Sequence, residues 1–307
     1  MPNDSMNYNF NLLKERTLNT FTTSRLLKKV KGPTICVGSG GSKVVASFAS
    51  TLLNTKNNCP TKVLEPRDTL YENLSNYKNI FMCSYSGDNH GVDILTNLKI
   101  KKYLLTYGDK ENESYKKIKC YSTLPKELSF ISLAATTMPM TVLMSYYIKD
   151  YLSLIKEMFD KVENTNFDIK NIDLEFDVIS GNDTLTSEIY LDSTFVEAGL
   201  SQITRHSKYD YCHGRTTLPF KEKRNLIYLI SKRKELDNLL LDILKEKYDS
   251  IIVLESNYND IVIDNYYLTL QAMYLTKYIA EKKKLDLSEV IYEKEITKKL
   301  YKFKGEM

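Results

Sequence analysis

The feature that most constrains the fold of this chain is the alternation of short apolar runs with longer helical patterns. The predicted strands cover residues 34–37, 62–65, 79–84, 102–106, 118–122, 188–192, 225–231 and 250–255. The predicted helices cover residues 8–30, 42–54, 68–75, 89–98, 129–158, 194–206, 234–247 and 264–282. Strands separated by helices are typical of parallel βαβ units, so the sequence predicts an α/β fold.

The length and one polar stretch together indicate two domains. A chain of 307 residues can bury the cores of two ordinary α/β domains. Residues 163–171 are rich in Asn and Asp and poor in apolar side chains, which is typical of a boundary. We therefore expect a first domain over residues 1–162 and a second over residues 172–307.

Composition narrows the classes of partner. Lys and Arg number 43 against 39 Asp and Glu, a balance too even to indicate nucleic-acid binding. The start, MPNDSMNYNF, lacks the pattern of a signal peptide, and the longest apolar stretch, residues 130–147, is interrupted by polar residues and a proline. Five cysteines without CxxC spacing favour reduced thiols and no zinc site. We expect a cytoplasmic protein with no membrane or nucleic-acid partner.

The first candidate site is a glycine-rich turn between a strand and a helix. Residues 35–42 read ICVGSGGS, an arrangement that presents backbone N–H groups to an anion. The run is not GxGxxG, because Lys43 occupies the place of the last glycine, and it lacks the GK[ST] ending of a P-loop. Taken alone, it is also consistent with an ordinary turn.

A second turn of the same kind favours an anion-binding site over an ordinary turn. Residues 81–89 read FMCSYSGDN, a buried strand that runs directly into small hydroxylated residues and a glycine. The carboxyl ends of adjacent parallel strands converge on one crevice, where ligands bind. The two turns therefore predict one phosphate site, with neutral donors and a helix N-terminus as its means of binding.

These two segments carry a family resemblance. VGSGGSKVVA followed by CSYSGDN resembles the sugar isomerase (SIS) domain family, whose pattern is GxGxS…SxSGxT. The segment ELSFIS, residues 127–132, resembles the start of the last helix of such a domain. The resemblance extends over nearly the whole chain and implies the two-domain type, as in the isomerase half of glucosamine-6-phosphate synthase and the fructosamine-phosphate deglycases. It implies two flavodoxin-like three-layer αβα domains with mainly parallel sheets.

The resemblance also assigns the ligand-binding residues. Phosphate and sugar contacts fall on Gly38, Ser39, Gly41, Ser42, Ser84, Tyr85, Ser86, Asn89 and Ser132. Asn89 stands where the family usually has Thr. Family sites are often built across a dimer, so the resemblance implies a homodimer with a shared site.

Catalytic candidates follow from the resemblance in the second half. The segment YCHGR, residues 211–215, resembles the family motif ExxHGP, with Asp210 in place of Glu and Arg215 in place of Pro. His213 then assists ring opening, and Glu197 moves the proton between C1 and C2. In an alternative alignment Glu197 matches a structural glutamate, and Thr204 falls at the catalytic position. Lys294 is a candidate tail contact.

The leading hypothesis is an aldose–ketose isomerase or deglycase of a phosphorylated sugar or amino sugar, without metal or organic cofactor. The alternative is a non-catalytic sugar-phosphate sensor or partner-binding protein that kept the phosphate pocket. A third possibility, a dinucleotide-binding protein, predicts an acidic residue at the end of the second strand, and Glu65 lies near that place.

Overall fold

The computed structural model describes residues 4–293, 295–296 and 299. The chain divides into two compact units, one comprising the described residues of Met1–Lys156 and Ser288–Met307, the other comprising Glu157–Leu287. Each unit contains one parallel β-sheet with helices around it. The structure confirms the predicted α/β class with parallel sheets.

The described part of the first unit contains a five-stranded sheet. Its strands are β1 (Thr34–Val37), β2 (Thr61–Leu64), β3 (Asn79–Cys83), β4 (Lys101–Thr106) and β5 (Lys116–Lys119). Their order is β2-β1-β3-β4-β5, and every pairing is parallel. Strands β1 and β3 are buried along their whole length, as apolar runs in the middle of a parallel sheet should be.

Helices of the first unit differ from the predicted ones in number as well as in length, because the helix predicted over residues 8–30 ends at Leu18 and the helix predicted over residues 68–75 is replaced by 3₁₀ turns. They are α1 (Met6–Leu18), α2 (Gly41–Asn57), α3 (His90–Thr96) and α4 (Ala134–Ser145), while α5 (Tyr151–Val162) continues into the second unit. Short 3₁₀ turns occupy Leu26–Lys29, Arg67–Tyr71 and Leu74–Asn76. The single helix predicted over residues 129–158 is wrong, because Asp150 adopts a left-handed backbone (φ 57°) between α4 and α5.

The second unit repeats the sheet with one strand fewer in its described residues. Strands β6 (Phe176–Ser180), β7 (Ile203–Ser207), β8 (Asn225–Ile230) and β9 (Ser250–Glu255) pair in parallel in the order β7-β6-β8-β9. The helices are α6 (Leu185–Glu197), α7 (Lys208–Tyr211), α8 (Glu235–Leu244) and α9 (Ile261–Lys283), with a 3₁₀ turn at Arg215–Phe220.

The start of this unit is where sequence prediction fails. The strand predicted over residues 188–192 and the helix predicted over 194–206 are wrong, since α6 covers Leu185–Glu197 and the next strand is β7. The β-branched and aromatic residues of α6 favour a strand locally. Packing against α9 decides otherwise: Asn265 accepts a hydrogen bond from the Thr186 backbone N–H (3.3 Å), and the Ser187 and Thr269 hydroxyls lie 3.2 Å apart.

Apolar side chains of each sheet form the core of its own unit. In the first unit Ile35, Ile80 and Leu104 are fully buried and belong to one cluster. In the second unit Leu226 and Tyr228 have the same role. Across the described residues, no helix is both long enough and apolar enough to span a membrane.

Candidate functional site

The two serine- and glycine-rich turns leave the same edge of the first sheet. Strands β1 and β3 are neighbours, with Val37 paired to Met82, and each ends where a turn begins. One small hollow is lined by Gly38, Ser39, Ser84 and Asn89. Its volume of about 20 Å³ leaves room for about one water molecule. The predicted convergence of the two turns is therefore present in the structure.

A tight approach to the loop of Ser132 explains the glycine at the start of α2. A Cβ atom added to Gly41 would lie 2.7 Å from the Ser132 Oγ and 2.6 Å from its Cβ, so any side chain here would force Ser132 to move. Among the described residues no side chain caps this helix, whose N-cap is Gly40. In this turn the Ser42 and Lys43 backbone N–H groups already donate to the Ser39 and Gly40 carbonyls (3.1 and 2.8 Å). The Gly41 N–H and the positive end of the helix dipole therefore remain for an anion.

The Ser84 hydroxyl is a donor held in position by two hydrogen bonds. Ser84 is buried, and its Oγ accepts from the Gly87 backbone N–H (3.2 Å) and from the Asn89 Nδ2 (3.0 Å). A serine hydroxyl has two lone pairs and one proton. Because both lone pairs are engaged, the proton remains available to an acceptor outside the loop.

Asn89 fixes the orientation of this arrangement. Its Oδ1 accepts from the Val92 backbone N–H (3.0 Å) and so caps α3. The amide nitrogen must then face Ser84, which it does at 3.0 Å. At the apex of the loop Gly87 has a left-handed backbone (φ 67°), and an added Cβ would lie 2.6 Å from the Thr106 Oγ1. The loop conformation thus depends on both residues.

The remaining predicted phosphate residues lie around the same edge. Ser42, Ser84 and Tyr85 lie around one narrow gap, too small to hold a water molecule, together with Pro139 of α4. The Tyr85 ring stacks on Tyr107 with centroids 5.3 Å apart, and burial raises the pKa of its phenol above the ordinary range. The exposed Ser86 hydroxyl accepts only a long hydrogen bond, 3.4 Å from the Asp88 N–H.

A buried carboxylate occupies the N-terminus of α4 near this edge. Glu127 accepts hydrogen bonds from the backbone N–H groups of Leu133 and Ala135, both at 2.9 Å. Burial raises the pKa of Glu127, and these hydrogen bonds oppose the rise. Asn89 caps α3 and Glu127 satisfies the start of α4. Among the described helices that begin at this edge, α2 is therefore the one without a side-chain cap.

Glu65, the residue on which a dinucleotide-binding interpretation depends, has a partner within the protein. The Lys43 ammonium of α2 lies 2.8 Å from the Glu65 carboxylate. The pair is exposed, so its contribution to stability is small. The ion pair nevertheless occupies the Glu65 carboxylate, which a dinucleotide-binding protein would use to bind the ribose hydroxyl of its ligand.

The catalytic candidates lie apart from the clefts described for the second unit. Glu197 is the last residue of α6, exposed, and accepts a hydrogen bond from the Ser193 hydroxyl (2.8 Å). Partial desolvation raises the pKa of its carboxyl, and the Ser193 hydrogen bond opposes the rise. His213 is exposed in the loop after α7. Neither side chain lines a described cleft. Lys294 lies outside the described residues.

The alternative catalytic position, Thr204, is also engaged. Its hydroxyl lies in β7 and accepts a hydrogen bond from the Arg224 guanidinium (3.0 Å). Arg224 in turn contacts the buried Asp177 carboxylate at 2.9 Å. Thr204 therefore belongs to a buried polar network that joins neighbouring strands of the second sheet.

Sequence reasoning missed a polar cleft in the second unit. Its volume is about 290 Å³, and its lining includes Ser180, Glu188, Arg205, Asp210 and Arg215. The sequence carried a signal for it, since the apolar run FDVIS is followed by small residues and a helix, as in the first unit. The strand predicted over residues 188–192 conceals that signal, because it places the first strand of the unit after FDVIS.

Comparisons with known proteins identify the class of fold. No protein-family model matches the sequence, and no curated protein matches it either. Solved structures do match: glucosamine-6-phosphate deaminase from Thermotoga maritima has a TM-score of 0.71 at 17% identity, over 94% of this chain and 96% of that one. The names of this protein and of two further neighbours refer to enzymes of phosphorylated sugars or amino sugars.

Two further neighbours have similar coverage. The C-terminal domain of glucosamine-fructose-6-phosphate aminotransferase from Francisella tularensis has a TM-score of 0.66 at 13% identity, over 92% of this chain and 96% of that chain. Tagatose-6-phosphate ketose/aldose isomerase from Escherichia coli has a TM-score of 0.64 at 12% identity, over 94% and 93%. At these identities the likeness establishes a shared α/β fold.

Proposed function

We propose that this protein binds a sugar phosphate over the turns formed by residues 38–42 and 84–89. The observation that supports this most strongly is the Ser84 hydroxyl, whose two lone pairs are engaged and whose proton is available. The Gly41 backbone N–H and the helix dipole at the start of α2, which no side chain of the described residues caps, add to it. Since the hollow itself holds about one water molecule, we place the phosphate over its mouth, beside the exposed Ser39 and Ser86.

Thermal unfolding in the presence of candidate ligands tests the binding proposal. Phosphorylated aldoses, ketoses and amino sugars should raise Tm of the wild type, because a ligand that binds only the folded state stabilises it. Ser84→Ala should abolish most of that shift. Ser50→Ala, which removes a hydroxyl elsewhere on α2, is the matched control and should leave the shift intact. No shift with any sugar phosphate, or the same shift in Ser84→Ala, contradicts the proposal.

We further propose that the bound sugar undergoes isomerisation or deglycation by proton transfer between C1 and C2. Glu197 is the candidate base and His213 the candidate for ring opening, as the resemblance to the SIS family implies. The names of the structural neighbours support a sugar-phosphate substrate. The rate of isomerisation of hexose 6-phosphates should fall at least 100-fold in Glu197→Gln. Ser193→Ala, which removes only the hydrogen-bond donor of Glu197, is the control.

A second candidate function is non-catalytic binding of the same ligand. The observation that favours it is the position of Glu197, which is exposed at the end of α6 and hydrogen-bonded within its own helix. Under this alternative, ligand raises Tm, turnover is absent, and Glu197→Gln binds as the wild type does. Turnover that disappears in Glu197→Gln contradicts it.

Two expectations about assembly belong to the same proposal. We take the two compact units to be the paired domains of a two-domain SIS protein, and we expect a cytoplasmic homodimer with a shared site. Light scattering coupled to size-exclusion chromatography measures the mass directly. A mass of one 35.6 kDa chain at micromolar concentration contradicts the homodimer.

A further inference from the structure

The carboxyl edge of the second sheet has the topology of a ligand site. Strand β6 lies between β7 and β8, as β1 lies between β2 and β3 in the first sheet. At such a position the connections leave in opposite directions and open a crevice, where ligands of α/β proteins bind. The cleft of about 290 Å³ opens here, beside Ser180 at the end of β6 and Ser207 at the end of β7.

The hydroxyl groups of this edge are engaged differently from Ser84. Ser180 donates to the Glu188 carboxylate, and Ser231, which follows β8, donates to the Asp183 carboxylate (2.6 Å). Internal carboxylates therefore take the protons of these two hydroxyls. An anion at this edge has to be recognised mainly by other groups.

Arg215 supplies that group. Within the described residues no hydrogen bond or ion pair engages its side chain, whereas Arg205, the other arginine of the cleft, is held 3.4 Å from both Glu188 and Asp192. Arg215 is exposed and begins the 3₁₀ turn at the rim. An unpaired guanidinium presents several N–H groups in one plane and binds phosphate or carboxylate through two of them.

Three other uncommitted polar side chains line the same cleft. They are the amide of Asn182, the hydroxyl of Ser207 and the carboxylate of Asp210, for which no hydrogen bond is found in the part of the chain described. Amide, hydroxyl and carboxylate groups bind sugar hydroxyls as donors and acceptors. In its described residues the cleft thus combines the unpaired Arg215 guanidinium with several groups suited to binding a polyol. Its volume of about 290 Å³ lies near the lower end of the range for small-molecule sites.

We propose that this cleft is a second ligand site, which binds a sugar phosphate through Arg215 and holds its hydroxyls with Asn182, Ser207 and Asp210. This second site is distinct from the first. Here a guanidinium binds the anion, whereas in the first site a serine hydroxyl and a helix N-terminus bind it. A sugar acid shares the same chemistry, a polyol with an anionic group, and the experiment separates the two.

Isothermal titration calorimetry with glucose 6-phosphate tests the proposal. The wild type should bind at two sites per chain, and Arg215→Ala should weaken one of them at least tenfold while Ser84→Ala removes the other. Lys223→Ala removes an exposed cation that does not line the cleft and should bind as the wild type does. Arg215→Lys, which keeps the charge, should retain part of the affinity, and circular dichroism checks that each variant is folded.

The outcomes separate this inference from the proposed function. A single site that Ser84→Ala removes and Arg215→Ala leaves unchanged overturns the second site only. A single site lost in Arg215→Ala and kept in Ser84→Ala supports the second site and contradicts the first. No binding in the wild type contradicts both. Gluconate is titrated in parallel, and binding of gluconate without glucose 6-phosphate at the Arg215 site overturns the phosphate assignment.

Discussion

Replacement of Asn89 by Asp separates the role of this residue in the fold from its role in ligand binding. An Asp side chain still accepts the hydrogen bond from the Val92 N–H that caps α3. Its second carboxylate oxygen, however, faces the Ser84 Oγ, where the Asn89 Nδ2 now donates at 3.0 Å. A carboxylate cannot donate, so the Ser84 hydroxyl turns its proton toward the introduced carboxylate and away from the ligand.

The expected loss of affinity follows from that one hydrogen bond. A hydrogen bond to a charged group contributes about 1.5–3 kcal/mol, which corresponds to roughly 10- to 150-fold in Kd. The negative charge introduced next to the phosphate adds to this loss. The stability of the unliganded protein should stay the same or rise by about 0.3–1 kcal/mol, because a carboxylate at a helix N-terminus is favourable.

Calorimetric titration with a sugar phosphate found in the thermal screen measures the affinity, and urea unfolding measures the stability. Ser75→Ala is a suitable control, since its hydroxyl bonds Asn73 in an exposed turn outside the candidate site. Weakened binding in Asn89→Asp together with unchanged stability agrees with the reasoning. Unchanged affinity in Asn89→Asp refutes the claim that the free Ser84 proton binds the ligand.

Further predictions concern the buried charges. Glu127→Gln should destabilise the protein by about 1–3 kcal/mol in urea, because an amide accepts through one oxygen only and leaves a buried N–H unpaired. Since burial raises the folded pKa of Glu127, its contribution to stability falls as pH rises above 4.5, and Gln should remove that dependence. Arg224→Met should cost about 3–5 kcal/mol, because it leaves Asp177 charged and buried. Burial acts to raise the pKa of Asp177, but His206, Tyr248 and Arg224 hold it below 3.8, so the wild type loses this stabilisation as pH falls through that lower pKa. Removal of Arg224 raises the folded pKa of Asp177, so the cost of Arg224→Met should be largest at neutral pH and should shrink as pH falls. Equal urea midpoints for variant and wild type across pH 3–7 would contradict either prediction.

The first sheet could be predicted from the sequence because its strands are unambiguous. β1 is a fully buried apolar run followed by glycine, and its observed bounds are the predicted ones. The site at the ends of β1 and β3 could be located for the same reason, since adjacency in a parallel sheet brings the turns together. The hydrogen bond between Asn89 and Ser84 could not be predicted, because it depends on side-chain orientation within the loop.

The beginning of the second unit could not be read correctly from local composition. The segment LTSEIYLDSTFVE, which forms α6, is rich in residues that favour strands, and only its packing against α9 makes it a helix. As a result, the predicted helix over residues 194–206 covers most of β7. The prediction also misses the role of Glu188, which lies on α6 and accepts a hydrogen bond from Ser180. The position of Glu197 at the end of a helix, in place of its beginning, follows from the same tertiary contact.

The crystal structure of a complex with glucose 6-phosphate, or with the best ligand of the thermal screen, tests most directly whether the two turns of the first unit bind the phosphate. We expect a phosphate oxygen within about 3 Å of the Ser84 Oγ and another at the Gly41 backbone N–H at the start of α2. A ligand whose phosphate lies elsewhere, with the turns of residues 38–42 and 84–89 in contact only with water, would contradict the proposed function.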